Sequence, residues 1–160
     1  NIKSGAVEDC DITALCARSV NSLAEELNVP QYSNYQELID ADICDAVIVA
    51  TPTCSHLEIG CHALNKGLHV LMEKPIGLCV AEGEQMLELV KSGQVFGLML
   101  NQRADPVFSM MKDKINQNHL GALQRISWTM TNWFRPEIYF QASDWRATWV
   151  GEGGGLLVNQ

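Results

Sequence analysis

The sequence has no run of about 18 apolar residues, so nothing in it reads as a membrane-spanning helix. Its 6 cysteines include no C-x-x-C pair, which sets aside zinc ribbons and thioredoxin-like redox motifs. There is no G-x-G-x-x-G turn, so the strongest dinucleotide-binding signature is missing. Basic residues are few: 11 Lys and Arg stand against 19 Asp and Glu, a net charge of −8. That balance, a pI of about 4.8 and the lack of a basic stripe interleaved with aromatics argue against nucleic acid as the main partner. The first five residues have neither an initiator Met nor the charged-then-apolar build of a signal peptide.

Cys10, Cys16, Cys44, Cys54, Cys61 and Cys79 sit in or beside apolar segments. They read as reduced, buried thiols of a cytoplasmic protein. A metal set from Cys54, His56, Cys61 and His62 is set aside, because adjacent Cys61 and His62 point apart on a helix. No metal is expected.

What is present centres on residues 46–77. Ala46-Val47-Ile48-Val49-Ala50 is a short continuous apolar run, the pattern of a parallel strand buried on both faces. Thr51-Pro52-Thr53 stops it. Ser55 and Glu58 have capping-box spacing, and Leu57, Cys61 and Leu64 give the helix that follows an apolar stripe. Lys66 and Gly67 close it, cation before left-handed cap. His69-Val70-Leu71-Met72 is the next strand and delivers Glu73-Lys74-Pro75 at its carboxyl end. Strand, helix and strand make a right-handed βαβ unit whose ligands sit beyond the strand tips. Thr51-Pro52-Thr53 and Glu73-Lys74-Pro75 therefore belong to one rim.

The rest of the chain extends the alternation. Residues 11–16 read as a strand, and Val20, Leu23, Ala24 and Leu27 as an amphipathic helix. Residues 30–33 read as a short strand, and 34–40 as a helix with Tyr35, Leu38 and Ile39 inward. A helix at 79–91 carries Val80, Leu87 and Val90 inward, and 95–100 is another buried strand. Asp105 and Pro106 are N-cap and first residue of a helix with Val107, Met111 and Ile115 as its stripe. From Ile126 to Met130 the period changes to two, a half-buried strand. The prediction is a doubly wound parallel α/β sheet over residues 1–103, then the start of an α+β domain over 104–160.

The stretch Ala50-Thr51-Pro52-Thr53, His56, Ala63-Leu64, Gly67, His69-Val70 and Glu73-Lys74-Pro75 resembles the Gfo/Idh/MocA oxidoreductases, with Thr53 departing from the usual Asn. Asn101-Gln102-Arg103 is similar to the N-x-R passage between their two domains. Residues 144–160 are similar to their W-R-x-T-W and G-G-G-x-L-x-[DN] segments, with Asn159 in the [DN] place. The resemblance implies a Rossmann-type sheet whose first strand and glycine-rich turn lie upstream, and a second, mostly antiparallel sheet. The chain then reads as an internal fragment of a longer protein.

The resemblance also implies an NAD(P)-dependent dehydrogenase acting on a secondary alcohol of a sugar, cyclitol or related polyol, and a homo-oligomer, dimer or tetramer, at full length. Lys74 is the expected catalytic cation, and a cis bond to Pro75 is plausible. Ala17-Arg18-Ser19 stands where NAD enzymes place a ribose-binding acid. Arg18 and Ser19 suit a 2′-phosphate, which puts NADP ahead of NAD, or are a solvated charge and a helix cap. Thr51, Pro52 and Thr53 line the nicotinamide-ribose side or simply end a strand. His56 reaches cofactor or Glu73, or is a satisfied surface histidine. Glu73 orients Lys74 or binds ribose. Asn101 and Arg103 contact cofactor or substrate, or pair between domains. Trp145, Arg146 and Trp149 wall the substrate pocket, or pack the sheet. Asn159 hydrogen-bonds substrate but cannot act as a base, so the acid–base histidine is expected four residues beyond it. Two other readings remain: a non-catalytic NAD(P)-sensing regulator of the same fold, and an inactive piece of the enzyme.

Overall fold

The computed structural model describes residues 2, 4–19, 22–131 and 134–154. Its strands are β1 (Leu15–Cys16), β2 (Gln31–Tyr32), β3 (Ala46–Val49), β4 (His69–Glu73) and β5 (Phe96–Met99). Its helices are α1 (Ser22–Leu27), α2 (Tyr35–Asp40), α3 (His56–Lys66), α4 (Val80–Leu89), α5 (Pro106–Asn116), α6 (Glu137–Gln141) and α7 (Trp149–Glu152). One-turn 3-10 helices occupy Thr53–Ser55 and Asn101–Ala104.

Every ladder among the described residues is parallel, as the alternation of strand and helix requires. β1 pairs with β2, and β3, β4 and β5 form a second ladder set in that order. Among the described residues no ladder joins β1 to β3. In the doubly wound order 3-2-1-4-5-6 that gap is the place of the first strand. β1 is shorter than the expected 11–16, because β2 offers only two residues to pair with it.

Helix ends follow the sequence closely. Asn34 caps α2 by accepting from Gln36 N at 2.8 Å. Asp105 caps α5 by accepting from Val107 N at 2.8 Å, with Pro106 inside the first turn. Such a cap contributes about 1 kcal/mol. Gly67 ends α3 at φ 91°, and its N–H returns to the last turn.

The core joins Leu38 and Ile39 of α2, Val49 of β3, Ile59, Ala63 and Leu64 of α3, Val70 and Met72 of β4, and Met86 of α4. Gly60 lets α3 lie close: a Cβ there would meet Met86 Sδ at 2.7 Å and Met72 Cε at 2.8 Å. Burying side chains of this size stabilises by about 1.5–3 kcal/mol each.

Several expectations change. The S-x-x-E capping box does not form. A 3-10 turn runs straight into α3, so Ser55 is already helical at φ −102°, ψ −4° and makes no side-chain cap. Glu58 instead accepts from the Tyr35 hydroxyl at 2.5 Å. The buried face of α3 is His56, Ile59, Gly60, Ala63 and Leu64; Leu57 and Cys61 are its half-buried flank. In α4 Gly83 and Met86 are buried, while Val80 and Leu87 face out, because contact with α3 and Ile76 selects the glycine side. Val49, Val70 and Met72 are buried but Ile48 and Leu71 are not, since α3 and α4 cover one sheet face. In α1 Ala24 is buried and Leu23 exposed; Val20 lies outside the described residues. Val107, Met111 and Ile115 of α5 are exposed. Residues 121–131 form no ladder, and Ile126, Trp128 and Met130 are exposed. Two-residue alternation becomes a strand only when a neighbour accepts its hydrogen bonds, and no described segment does so.

No cysteine is buried among the described residues: Cys10, Cys16, Cys54 and Cys79 are exposed, Cys44 and Cys61 half-buried. Cys16 lies in β1, Cys54 in the 3-10 turn and Cys61 on α3, and in none of these places do apolar sequence neighbours enclose the thiol. Partial burial still pushes the Cys16, Cys44 and Cys61 thiols up.

Candidate active site

Register builds the site. Val49 stands beside Met72, and Met72 beside Leu98. Neighbouring strands lie about 4.8 Å apart. Two residues further on, Thr51, Lys74 and Leu100 leave the sheet at the same level, with Asn101 next. Thr51, Lys74, Asn101 and Arg103 are all exposed there. The Lys74-Pro75 peptide is cis. Lys74 N–H donates to the Glu73 carboxylate at 2.8 Å, so Glu73 holds the backbone of the residue it precedes.

His56 binds the two rim turns together. It is 1% exposed. Its Nε2 lies 2.9 Å from the Thr51 carbonyl and its Nδ1 2.8 Å from the Pro75 carbonyl. A carbonyl only accepts, so both contacts are hydrogen bonds together only when both ring nitrogens carry hydrogen. Both nitrogens face these backbone carbonyls rather than Glu73. Thr53 is buried beneath the same turn, and Ser55 Oγ lies 2.8 Å from both Thr51 Oγ1 and the Pro52 carbonyl.

Ala17, Arg18 and Ser19 follow β1, with Arg18 and Ser19 exposed. Gln31 braces this turn: its Nε2 donates to the Ser19 carbonyl at 2.7 Å and lies 3.4 Å from that of Ala17. Sequence reasoning missed Gln31, since a polar residue in a two-residue strand carries no motif. It also missed Glu82, whose carboxylate accepts from Leu78 N at 2.6 Å behind Pro75. The spacing Cys79-x-x-Glu82, with Cys79 at the cap of α4, is the signal that would have found it.

The C-terminal part returns to this rim. α7 packs on the Thr53–Ser55 turn. Thr148 caps it by accepting from Gly151 N at 3.0 Å, and buried Glu152 accepts from Ala147 N at 2.9 Å. The Arg146 guanidinium lies 4.2 Å from the Tyr139 ring centre and 4.5 Å from that of Trp145, and donates to the Tyr139 hydroxyl. Trp145 is half-buried in this stack, whereas Trp149 is 79% exposed. Asn159 lies outside the described residues. An open groove of about 630 Å³ between α1 and β2 is lined by Glu25, Asn28 and the brace residue Gln31. Among the described residues no group of three or more His, Cys, Asp or Glu is placed to hold a metal ion; His62 turns to Asp40 at 3.1 Å. No helix there is long and apolar enough to cross a membrane.

Residues 4–102 match the model of the oxidoreductase family with the NAD-binding Rossmann fold, Gfo/Idh/MocA. The chain belongs to that family. It is 29% identical over 152 residues to the scyllo-inositol 2-dehydrogenase (NADP(+)) of Bacillus subtilis, a match spanning 82% of this chain and 46% of the relative. It is 32% identical over 102 residues to the scyllo-inositol 2-dehydrogenase (NAD(+)) of the same organism, spanning 62% of this chain and 30% of that one. Among solved structures it resembles myo-inositol 2-dehydrogenase from Lactobacillus plantarum, with TM-score 0.66 and 32% identity over 72% of this chain and 36% of that one. The chain thus spans less than half the length of these relatives. Family and structure agree on a Rossmann-type parallel α/β fold.

Proposed function

We propose that the chain is part of an NAD(P)-dependent oxidoreductase that interconverts a secondary alcohol and a ketone on a sugar, cyclitol or related polyol. The supporting observation is the rim itself: Thr51, exposed Lys74 and Asn101 side by side at the strand tips, on a sheet whose family is NAD-binding. Relatives named as inositol dehydrogenases support the substrate class.

The residues present suit a dinucleotide. Arg18 and Ser19 offer a guanidinium and a hydroxyl on a braced turn, which suits a 2′-phosphate and favours NADP over NAD. Thr51, Pro52 and Thr53 with Glu73 suit the nicotinamide-ribose side, with Asn101 and Arg103 flanking. When bound, the nicotinamide supplies the hydride acceptor or donor. Lys74 places its ammonium at the alcohol oxygen and stabilises the negative charge that forms there as the O–H proton is lost, or, in the reverse direction, as hydride arrives at the carbonyl carbon. Asn159 hydrogen-bonds a substrate hydroxyl; an amide is no base, so another group takes the proton. Trp145, Arg146 and Trp149 belong to the substrate side, beyond a domain boundary at residue 103. The exposed apolar residues 126, 128 and 130 suit a subunit contact in a cytoplasmic homo-oligomer.

The test is the full-length protein with NADPH and NADH and a panel of polyols. Lys74→Ala is expected to lower turnover about 10²- to 10⁴-fold while dinucleotide binding, read by fluorescence, persists. Unchanged turnover removes Lys74 from the mechanism. Tight cofactor binding with no turnover on any polyol makes the protein a sensor.

A further inference from the structure

His56 is the most enclosed polar side chain of the described residues, yet both of its ring nitrogens point at backbone carbonyls that belong to different strand tips. It spans from the turn after β3, at Thr51, to the turn after β4, at Pro75. Pro75 is bonded directly to Lys74. We propose that His56 is a positioning residue: its Nδ1–H, by holding the Pro75 carbonyl, sets where the Lys74 ammonium stands relative to the Thr51 turn. This rests on the oxidoreductase reading above.

Three features carry the inference. The ring is rigid and sits at the first residue of α3, whose buried face is locked against Met72 and Met86. The two contacts, 2.8 and 2.9 Å, are of ordinary hydrogen-bond length, so the ring fits the gap between the turns without slack. The turn behind Pro75 is held from the other side by Glu82 on Leu78 N, at 2.6 Å. Lys74 itself is exposed and directly precedes this doubly held segment. A group that fixes a catalytic cation in this way acts on rate through placement, and a displacement of about 1 Å costs up to about 100-fold.

The side chain allows a directional test. An asparagine amide nitrogen falls near the place of Nδ1, and a glutamine amide nitrogen near that of Nε2. His56→Asn therefore keeps the tie to Pro75, and His56→Gln keeps the tie to Thr51. Full-length protein of each variant is compared for kcat, for KM, for NADPH affinity and for the melting temperature. In the cofactor-free state, the rate at which a water-soluble acylating reagent modifies the Lys74 amine is followed by mass spectrometry. His56→Gln is expected to lower kcat about tenfold or more, with NADPH affinity kept and the Lys74 acylation rate changed. His56→Asn is expected to restore both towards wild type. Equal kcat in the two variants, or an unchanged acylation rate in folded His56→Gln, overturns the proposal. Should Lys74→Ala turn over like wild type, the oxidoreductase reading fails, while the acylation rates still decide whether His56 places Lys74.

Discussion

Gly153 lies against the backbone of Leu78 so closely that a Cβ built on it would stand 2.2 Å from the Leu78 carbonyl oxygen. Gly153 is also at φ 70°, where an L side chain is strained. The glycine-rich segment after α7 therefore touches the turn three residues after Pro75, and α7 itself rests on the Thr53–Ser55 turn. The C-terminal part of the chain and the parallel sheet meet at the rim that carries Lys74.

From this contact, Gly153→Ala is expected to cost at least about 1–2 kcal/mol for the left-handed backbone alone, with the steric clash added. The urea midpoint of the variant should fall, and proteolysis within 145–154 should quicken. A midpoint equal to wild type would show that this segment does not dock on Leu78.

Arg18→Ala is expected to weaken NADPH binding by about 1.5–3 kcal/mol, roughly tenfold to a hundredfold, by removing a charge-assisted hydrogen bond to the 2′-phosphate. NADH binding should hardly change. Gln31→Leu, which frees the Ser19 carbonyl, should move affinity the same way by less. Fluorescence titration of the full-length protein reads both; parallel loss of NADPH and NADH would contradict the 2′-phosphate role.

Tyr35 predicts a change at alkaline pH. Its hydroxyl is pushed up to about 12 by burial first, then by its hydrogen bond to Glu58 and that carboxylate's charge. The folded state thus favours the neutral phenol. This contribution is fully present below the ordinary value of 10.0, and is lost as pH rises through about 12. Denaturation of wild type and Tyr35→Phe across this window should show the wild type losing stability more steeply. Parallel curves would show that the Tyr35–Glu58 bond does not persist in solution. At the acid end Asp40, lowered by its hydrogen bonds to Lys66 and His62, acts oppositely. Its contribution is present above its ordinary value of 3.8 and fades as pH falls through the lowered one.

Met72 is fully buried, its Cε beside Gly60 of α3 together with the Met86 sulfur of α4. Met72→Ala is expected to destabilise by about 2–5 kcal/mol, read as a lower denaturant midpoint at unchanged slope. A loss below about 1 kcal/mol would mean that the α3–α4 interface closes over the gap.

The sequence by itself determined the βαβ order, the caps at Gly67 and Asp105, and the rim that carries Thr51 and Lys74. These are local: propensity, capping and period act within a few residues, and parallel pairing follows from the strand–helix alternation. Tertiary structure alone decided which apolar residues are inside. Leu87 and Met86 are adjacent and equally apolar in sequence, yet only Met86 meets α3. His56 read in sequence either as a histidine reaching cofactor or Glu73 or as a satisfied surface histidine; its two partners are 5 and 19 residues away, and only the packing of two strand tips brings both carbonyls to one ring. Gln31, Glu82 and Gly153 likewise gain their meaning from contacts distant in the chain. The strand expected at 126–130 is not formed for the same reason: alternation fixes a face, but a ladder needs a neighbour.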